Sequence, residues 1–447
     1  MSDGLELKRS RRSMRNRALH ACVVTAAVAI TLLAGNGCRA EQQPWPLWES
    51  YVKGFIDPQG RVIDHSGSDR TTSEAQAYAM FFALVANDQP HFDKLLLWTT
   101  QNLAQGDLTQ HLPAWNWGKA ADGNWKILDA NPASDADLWM AYDLLEAGQH
   151  WNNSDYTKLG TAMIERIEHT EVVELPASTG CADGPLLLPA PSGFHPDDLT
   201  WVFNPSYVPL PLVAYFASTR HGVWSAMLEE LPRFYNHVST AGYAPDWSKC
   251  IAGQGWVASA APGQQPMQTQ NGQPGANPAA ATPQTAGGTP TPSPAPNAAA
   301  PAPAPPPPAP AAPALASFDA IRVYLWLGIA DPKTPGLTDA LDNFPAMANY
   351  LKKQNVPPLT VDSSGSVKNT QGPLSFSAAV IPYLQALKLN KQANVQINLL
   401  KNGLDAGTGL YGNPAHYYDQ NMALFATGWL EKRYQIGKDG QLKLKWK

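Results

Sequence analysis

Residues 133–151 read Ala-Ser-Asp-Ala-Asp-Leu-Trp-Met-Ala-Tyr-Asp-Leu-Leu-Glu-Ala-Gly-Gln-His-Trp. Leu138, Ala141, Tyr142 and Leu145 recur at i, i+3, i+4 and i+7, the spacing of one helix face. Ser134 and Asp137 form an S-x-x-D capping box, and Gly148 is a stop signal, so a helix over Asp135–Ala147 is expected. Upstream, Thr72–Val85 (TSEAQAYAMFFALV) lacks Gly and Pro and is rich in Ala, Met and Leu, again a helix. Further helices are expected around Thr157–His169, Leu210–Ala217, Ser317–Gly328, Ser375–Leu389 and Asn421–Arg433. Alternating β-branched runs are scarce, and long Gly/Pro/Trp-rich loops fill Pro113–Pro132 and Thr179–Pro211. The pattern predicts an all-α architecture whose elaborate loops carry the function.

The rest of the chain sets bounds on that function. It has 447 residues, 44% of them hydrophobic and only 15% charged, with a formal net charge of −5. Six of the basic residues lie between Lys8 and Arg17, ahead of an uncharged run from Ala18 to Cys38. A positive segment, an apolar segment and small residues at the exit describe a secretory signal over residues 1–40, with cleavage after Ala40. The alternative is an uncleaved anchor, since the uncharged run is just long enough to span a bilayer. Removing residues 1–40 takes away seven basic and two acidic residues, leaving 25 against 35 and a net of −10. An acidic body without a basic stripe argues against nucleic acid as a partner. No later segment is apolar and long enough to cross a membrane, so an exported, periplasmic or secreted protein is expected. Cys22 and Cys38 leave with the signal; Cys181 and Cys250 remain in a compartment where a disulfide persists, and their spacing leaves pairing open. No CxxC, Cys/His cluster or HExxH is present, so neither a metal nor a cofactor is expected. Gly407–Gly412 spells GxGxxG, but no apolar strand precedes it and Asn413-Pro414 follows where a helix should open, so the dinucleotide reading fails.

Residues 261–314 contain no charged and no aromatic residue, and 17 of them are Pro. Such a stretch cannot bury a core and reads as an extended, disordered linker or loop. On composition alone it either divides two domains, 41–260 and 315–447, or loops out of one.

Three acidic positions matter for chemistry: Glu74, Asp135 (with Asp137) and Asp319, each at an expected helix start. The ordinary explanation is that carboxylates favour helix N-termini through the macrodipole. Asp135 is less explained, because Ser134 already supplies a cap. If those helix ends converge, paired carboxyls, one protonated and one ionised, suit hydrolysis of a glycosidic bond. Aromatic residues fit that reaction. Trp115 and Trp117, i and i+2 in a Gly/Asn-rich loop that also leads to Trp125, offer flat faces to sugar rings, although core packing is an equal use for either. Tyr207 in Asn204-Pro205-Ser206-Tyr207 and the cluster His416–Asn421 are further polar-aromatic candidates, and Arg322 stands one turn beyond Asp319.

Residues 133–151 resemble the signature of glycoside hydrolase family 8. SEAQAYAM around Glu74, AWNWG at 114–118, NPSY at 204–207, FDAIRVYLW around Asp319 and YYDQNMALFATGW at 417–429 resemble further blocks of that family, in its order. The resemblance runs from about Trp45 to Tyr434 apart from the linker. Within the family it is nearest the periplasmic cellulases encoded with bacterial cellulose synthase. It implies an (α/α)6 barrel with long loops around a substrate cleft, and endo-hydrolysis of β-1,4-glucan with inversion. Residues 41–447 would then be a single catalytic domain interrupted at 261–314. The catalytic residues implied are Glu74 as general acid, Asp319 as base, and Asp135 as either nucleophile or holder of the distorted sugar. Trp115, Trp117, Tyr207 and Arg322 are the substrate-binding residues expected. The implied partner is a cellulose chain, with a functional association to a cellulose synthase complex. Two alternatives stay open: the same fold acting on chitosan, xylan or mixed-linkage glucan, and a glucan-binding assembly factor of a cellulose export complex.

Overall fold

The computed structural model describes residues 44–175, 177–239, 241–259 and 314–447. The expected signal at 1–40 and the Pro/Ala stretch, except its last residue Ala314, lie outside the described residues. Thirteen α-helices are described: α1 (Pro46–Phe55), α2 (Ser73–Val85), α3 (Gln89–Asn102), α4 (Ser134–His150), α5 (Ser154–Thr170), α6 (Leu210–Thr219), α7 (Val223–Val238), α8 (Ala320–Ile329), α9 (Leu337–Asp342), α10 (Pro345–Leu351), α11 (Leu374–Ala386), α12 (Asn390–Asn402) and α13 (Tyr417–Leu430).

Burial sorts these helices into two rings. In α2 every residue but Glu74 is buried, and in α8 all ten are. A helix that is apolar on all sides belongs in the interior. By contrast, α3 and α5 bury one stripe each, Phe92, Leu95, Leu96, Trp98 and Thr99 on the first and Tyr156, Gly160, Met163, Ile164 and Ile167 on the second. The mostly buried helices α2, α4, α6, α8, α11 and α13 touch in that order, and α13 returns to α2. Outside them, α3, α5, α7 and α12 each pack on the inner helix that precedes them, α9 packs on α8, and α1 on α13. This is an (α/α)6 barrel.

Aromatic rings from four inner helices fill its middle. Phe81 and Trp139 have centroids 5.1 Å apart, as do Trp139 and Trp326, and Trp326 and Phe425, while Tyr78 lies 5.0 Å from Phe425. Where helices approach closest, glycine is required. A Cβ on Gly328 would sit 2.2 Å from the backbone nitrogen of Tyr383, so α8 and α11 cross with no room for a side chain. Gly148 has the same use: its Cβ would lie 2.2 Å from Thr157 Oγ1. It therefore sits inside α4 instead of ending it, and the helix runs on to His150. At the other end Ala133 is the N-cap and no side chain caps it, so Ser134 lies within the first turn and the expected capping box does not form.

The strands are short and decorate the loops. β1 (Thr71–Thr72), β2 (Asn116–Lys119) and β3 (Trp125–Asp129) form one antiparallel sheet in that order. β4 (Val172–Leu175) pairs with β5 (Gly184–Leu187). A third sheet runs β6 (Thr200–Phe203), β7 (Ser248–Ile251), β8 (Gly255–Ala258). β9 (Ala314–Ala316) joins β10 (Thr360–Asp362) and β11 (Val367–Asn369). Cys250 on β7 is disulfide-bonded to Cys181, with Cα atoms 5.9 Å apart across a separation of 69 residues. Closing a loop of that size stabilises by about 4 kcal/mol on the chain-entropy model. A Cys181→Ala/Cys250→Ala chain is accordingly expected to unfold at lower denaturant concentration, and the parent chain to take up no alkyl group at these positions without reductant. Intact mass after alkylation and urea titration check the two statements.

Candidate active site

The N-termini of three inner helices open at one end of the barrel, and each brings a carboxyl. Thr72 caps α2 by accepting the Ala75 amide at 3.1 Å, which frees Glu74 in the first turn to face outward. Asp135 occupies the first turn of α4, and Asp319 is the N-cap residue of α8. All three line one cleft, together with Trp115, Tyr207, Arg322, Tyr417, Tyr418, Asp64 and Arg70.

Arg322 organises them. It is only 3% exposed. Its Nη1 donates to Glu74 Oε2, its Nη2 donates to Asp319 Oδ1 at 2.9 Å, and Asp135 Oδ2 stands 3.6 Å from the same Nη2. Ser206 Oγ receives Nε at 3.3 Å and Nη2 at 3.0 Å, and the guanidinium carbon lies 5.6 Å from the centre of the Tyr207 ring. The sequence placed Arg322 one turn beyond Asp319 as a substrate contact. The structure instead buries it at the centre of three carboxyls. An arginine suits this position because its planar fork serves several acceptors at once.

Carboxyls crowded round one guanidinium oppose one another's ionisation. Burial raises the pKa of Glu74; Arg322 and the Tyr417 hydroxyl, which donates to Oε1 at 3.1 Å, oppose that rise, and Asp319 adds to it. Burial likewise raises Asp319, while Arg322, Asn204 and Trp247 pull it down. Asp135 is pushed up to about 7 by burial, against the pull of Arg322 and with a further push from Glu74. The cluster thus holds protons to higher pH than free carboxylates do.

Six of the seven expected residues meet here: Glu74, Asp135, Asp319, Arg322, Trp115 and Tyr207. Trp117 is not among the residues lining the pocket around the three carboxyls. Part of the loop expected over Pro113–Pro132 is strand β2, which begins at Asn116, and its pairing with β3 shifts register between Asn116 and Trp117. The extra residue at that shift is Leu128 on β3, and Trp115 lies just ahead of β2, so only Trp117 is carried in the sheet. Trp117 packs instead edge-on to Trp98 at 5.4 Å, stacks on Trp125 at 5.2 Å, and carries Arg61 at 4.5 Å. Sequence reading did not single out Ser206, Tyr417 or Arg70 for the site, although Ser206 and Tyr417 fall inside the polar-aromatic clusters it noted. Arg70 lies in a loop with no periodic or motif signal.

Residues 21–268 and 303–432 match the family model described as glycosyl hydrolases family 8. The chain belongs to that family. Among family 8 relatives, an endoglucanase of Escherichia coli O157:H7 is 36% identical over 423 residues, covering 94% of this chain and 96% of its own. An endoglucanase of Xanthomonas axonopodis pv. citri is 35% identical over 435 residues, covering 97% of each. The crystal structure of the endo-1,4-D-glucanase of Vibrio fischeri ES114 shares the fold at a TM-score of 0.68 and 30% identity, over 90% of this chain and 99% of that one. This family 8 chain is therefore a glycoside hydrolase, and the carboxyls of its cleft are where its chemistry must be sought.

Proposed function

We propose that this family 8 hydrolase is an endo-β-1,4-glucanase that inverts configuration, with Glu74 as general acid and Asp319 as base. The observation that carries the reading is that Glu74 and Asp319 bond to different terminal nitrogens of one buried guanidinium at the cleft. Glu74 gives its proton to the glycosidic oxygen as that bond breaks. Asp319 takes a proton from a water whose oxygen bonds to the anomeric carbon from the opposite face. No covalent intermediate forms, so Asp135 is read as a contact to the sugar that is distorted on the way, not as a nucleophile. Names of the relatives support β-1,4-glucan as substrate. The test is release of reducing ends with a rapid fall in viscosity from carboxymethyl-cellulose, compared with xylan and chitosan. Faster cleavage of either comparison polymer would reassign the substrate, and cleavage of none would leave a binding protein.

Trp115 lies at the cleft and only partly buried, where a pyranose ring can stack on it. Trp115→Ala is expected to raise KM about ten-fold with kcat and melting temperature little changed, because it removes binding shared by ground and transition states. Steady-state kinetics on cello-oligosaccharides with a thermal melt checks this. A large drop in melting temperature at unchanged KM would return Trp115 to the core.

The same proposal includes export, signal cleavage after Ala40, and trimming of cellulose as it is made. Among the described residues no helix is long and apolar enough to cross a membrane. Residues 261–314 are proposed to be an insertion in one barrel domain. Its flanks support this, since the Ser259 amide donates to the Trp247 carbonyl at 3.3 Å and the Ser317 amide to the Asp246 carboxylate at 2.8 Å, two adjacent anchors.

A further inference from the structure

Asp246 lies outside the lining of the cleft, yet it grips the helix that carries Asp319. Its Oδ1 accepts the amide of Ser317 at 2.8 Å and that of Ala320 at 2.7 Å, on either side of Asp319. An aspartate at an N-cap ordinarily bends back to accept amides of its own helix. Asp319 makes no such bond; its backbone is already helical, with φ −75° and ψ −49°, and its carboxylate is turned to Arg322. Asp246 supplies the missing acceptor from another part of the chain, which leaves the Asp319 carboxylate free for the cleft.

The segment bearing Asp246 is itself fixed. The Ala244 amide donates to the Tyr324 hydroxyl on α8 at 3.0 Å. Trp247 stacks on Phe194 with planes 14° apart and touches the ring of Tyr207, and Cys250 is held to Cys181. Burial, and then the charge of Asp319, push the Asp246 carboxyl up to about 7, against the pull of the two amides. The two carboxyls are close enough to feel each other.

We infer that Asp246 is a positioning residue for the hydrolytic reaction: by capping α8 through Ser317 and Ala320 it fixes where the Asp319 carboxylate meets the attacking water. This rests on the reading of Asp319 as base. Displacing a catalytic group by about 1 Å costs on the order of 100-fold in rate. The test measures kcat and KM of the full chain on cello-oligosaccharides, well below each variant's melting temperature. Asp246→Ala is expected to lower kcat about 100-fold with KM within about two-fold, since the loss falls on the transition state. Asp246→Asn keeps the acceptor oxygen and is expected to recover kcat to within about ten-fold of the parent. If the alanine chain does not fold, Asp246→Glu takes its place: its longer stem displaces the acceptor, and lowered kcat at unchanged KM supports the inference. Near-parental kcat in Asp246→Ala or Asp246→Glu overturns it, as does an equal kcat deficit in the Ala and Asn variants. Asp319→Asn separates the two levels. If it retains turnover, the base assignment falls and the positioning inference with it. If it is inactive while Asp246→Ala turns over normally, only the positioning inference falls.

Discussion

Glu74→Gln is expected to lower kcat on cello-oligosaccharides by about 10³-fold while leaving KM nearly unchanged, since positioned proton transfer contributes about 10²–10⁴-fold. Glutamine keeps the size of the side chain; its one oxygen can accept from Arg322 while its amide nitrogen donates to the Tyr417 hydroxyl, so the α2 terminus and the cleft wall stay in place. What it lacks is a proton to give to the leaving oxygen. A substrate carrying a leaving group that needs no protonation, such as an aryl glycoside of low pKa, should recover most of the rate. Equal impairment on both kinds of substrate would mean that Glu74 holds the substrate and is not its acid. The raised pKa of Glu74 also fixes a sign. Activity should persist to higher pH than an ordinary glutamate would allow, and the alkaline limb of the profile should disappear in Glu74→Gln.

Arg322→Met is expected to have the second large effect, on both rate and stability. It removes the buried guanidinium shared by Glu74, Asp135 and Asp319 and leaves the three carboxyls without that partner. Breaking a buried ion pair from one side typically costs about 3–5 kcal/mol. Because Arg322 lowers the pKa of all three groups, its loss raises all three. A carboxyl whose pKa is raised in the folded state binds its proton more tightly there than in the unfolded chain. Stability is therefore retained at low pH and lost as pH rises above the unfolded value of about 4. Urea titrations of the variant at several pH values should show a deficit that grows from pH 4 to 8. Asp319 must be ionised to accept a proton, so the acid limb of whatever activity remains should move to higher pH. Arg322→Lys keeps the charge but loses the fork, and it should restore stability more than turnover. A uniform deficit at every pH would show that Arg322 acts by packing alone.

Much of this arrangement was legible in residue order. The inner helices announce themselves as apolar runs rich in Ala and Leu, Ser73–Val85 being free of both Gly and Pro, and Glu74, Asp135 and Asp319 stand at the starts of three of them. Of the outer helices Ser154–Thr170 was expected, whereas Val223–Val238, which buries one stripe and contains Pro232, was not singled out. The site was legible as residue types and not as geometry. The spacing of Arg322 from Asp319 reads as an exposed helix pair, and only closure of the barrel brings Glu74, 248 residues away in sequence, to the same guanidinium. Trp117 packs with Trp98, Trp125 and Arg61, partners 8 to 56 residues away that a four-residue pattern does not name. Asp246 carried no signal at all, since the amides that donate to it lie 71 and 74 residues downstream, beyond the Pro/Ala stretch. The gain from tertiary structure is largest where one side chain serves two distant segments.

The direct test of the carboxyl roles is the configuration of the first product. Proton NMR of cello-oligosaccharide hydrolysis, recorded before mutarotation, should show the α anomer appearing first, because water activated by Asp319 enters opposite to the oxygen protonated by Glu74. The β anomer appearing first would mean a covalent glycosyl-enzyme and would contradict the assignment of Glu74 and Asp319 as an inverting pair.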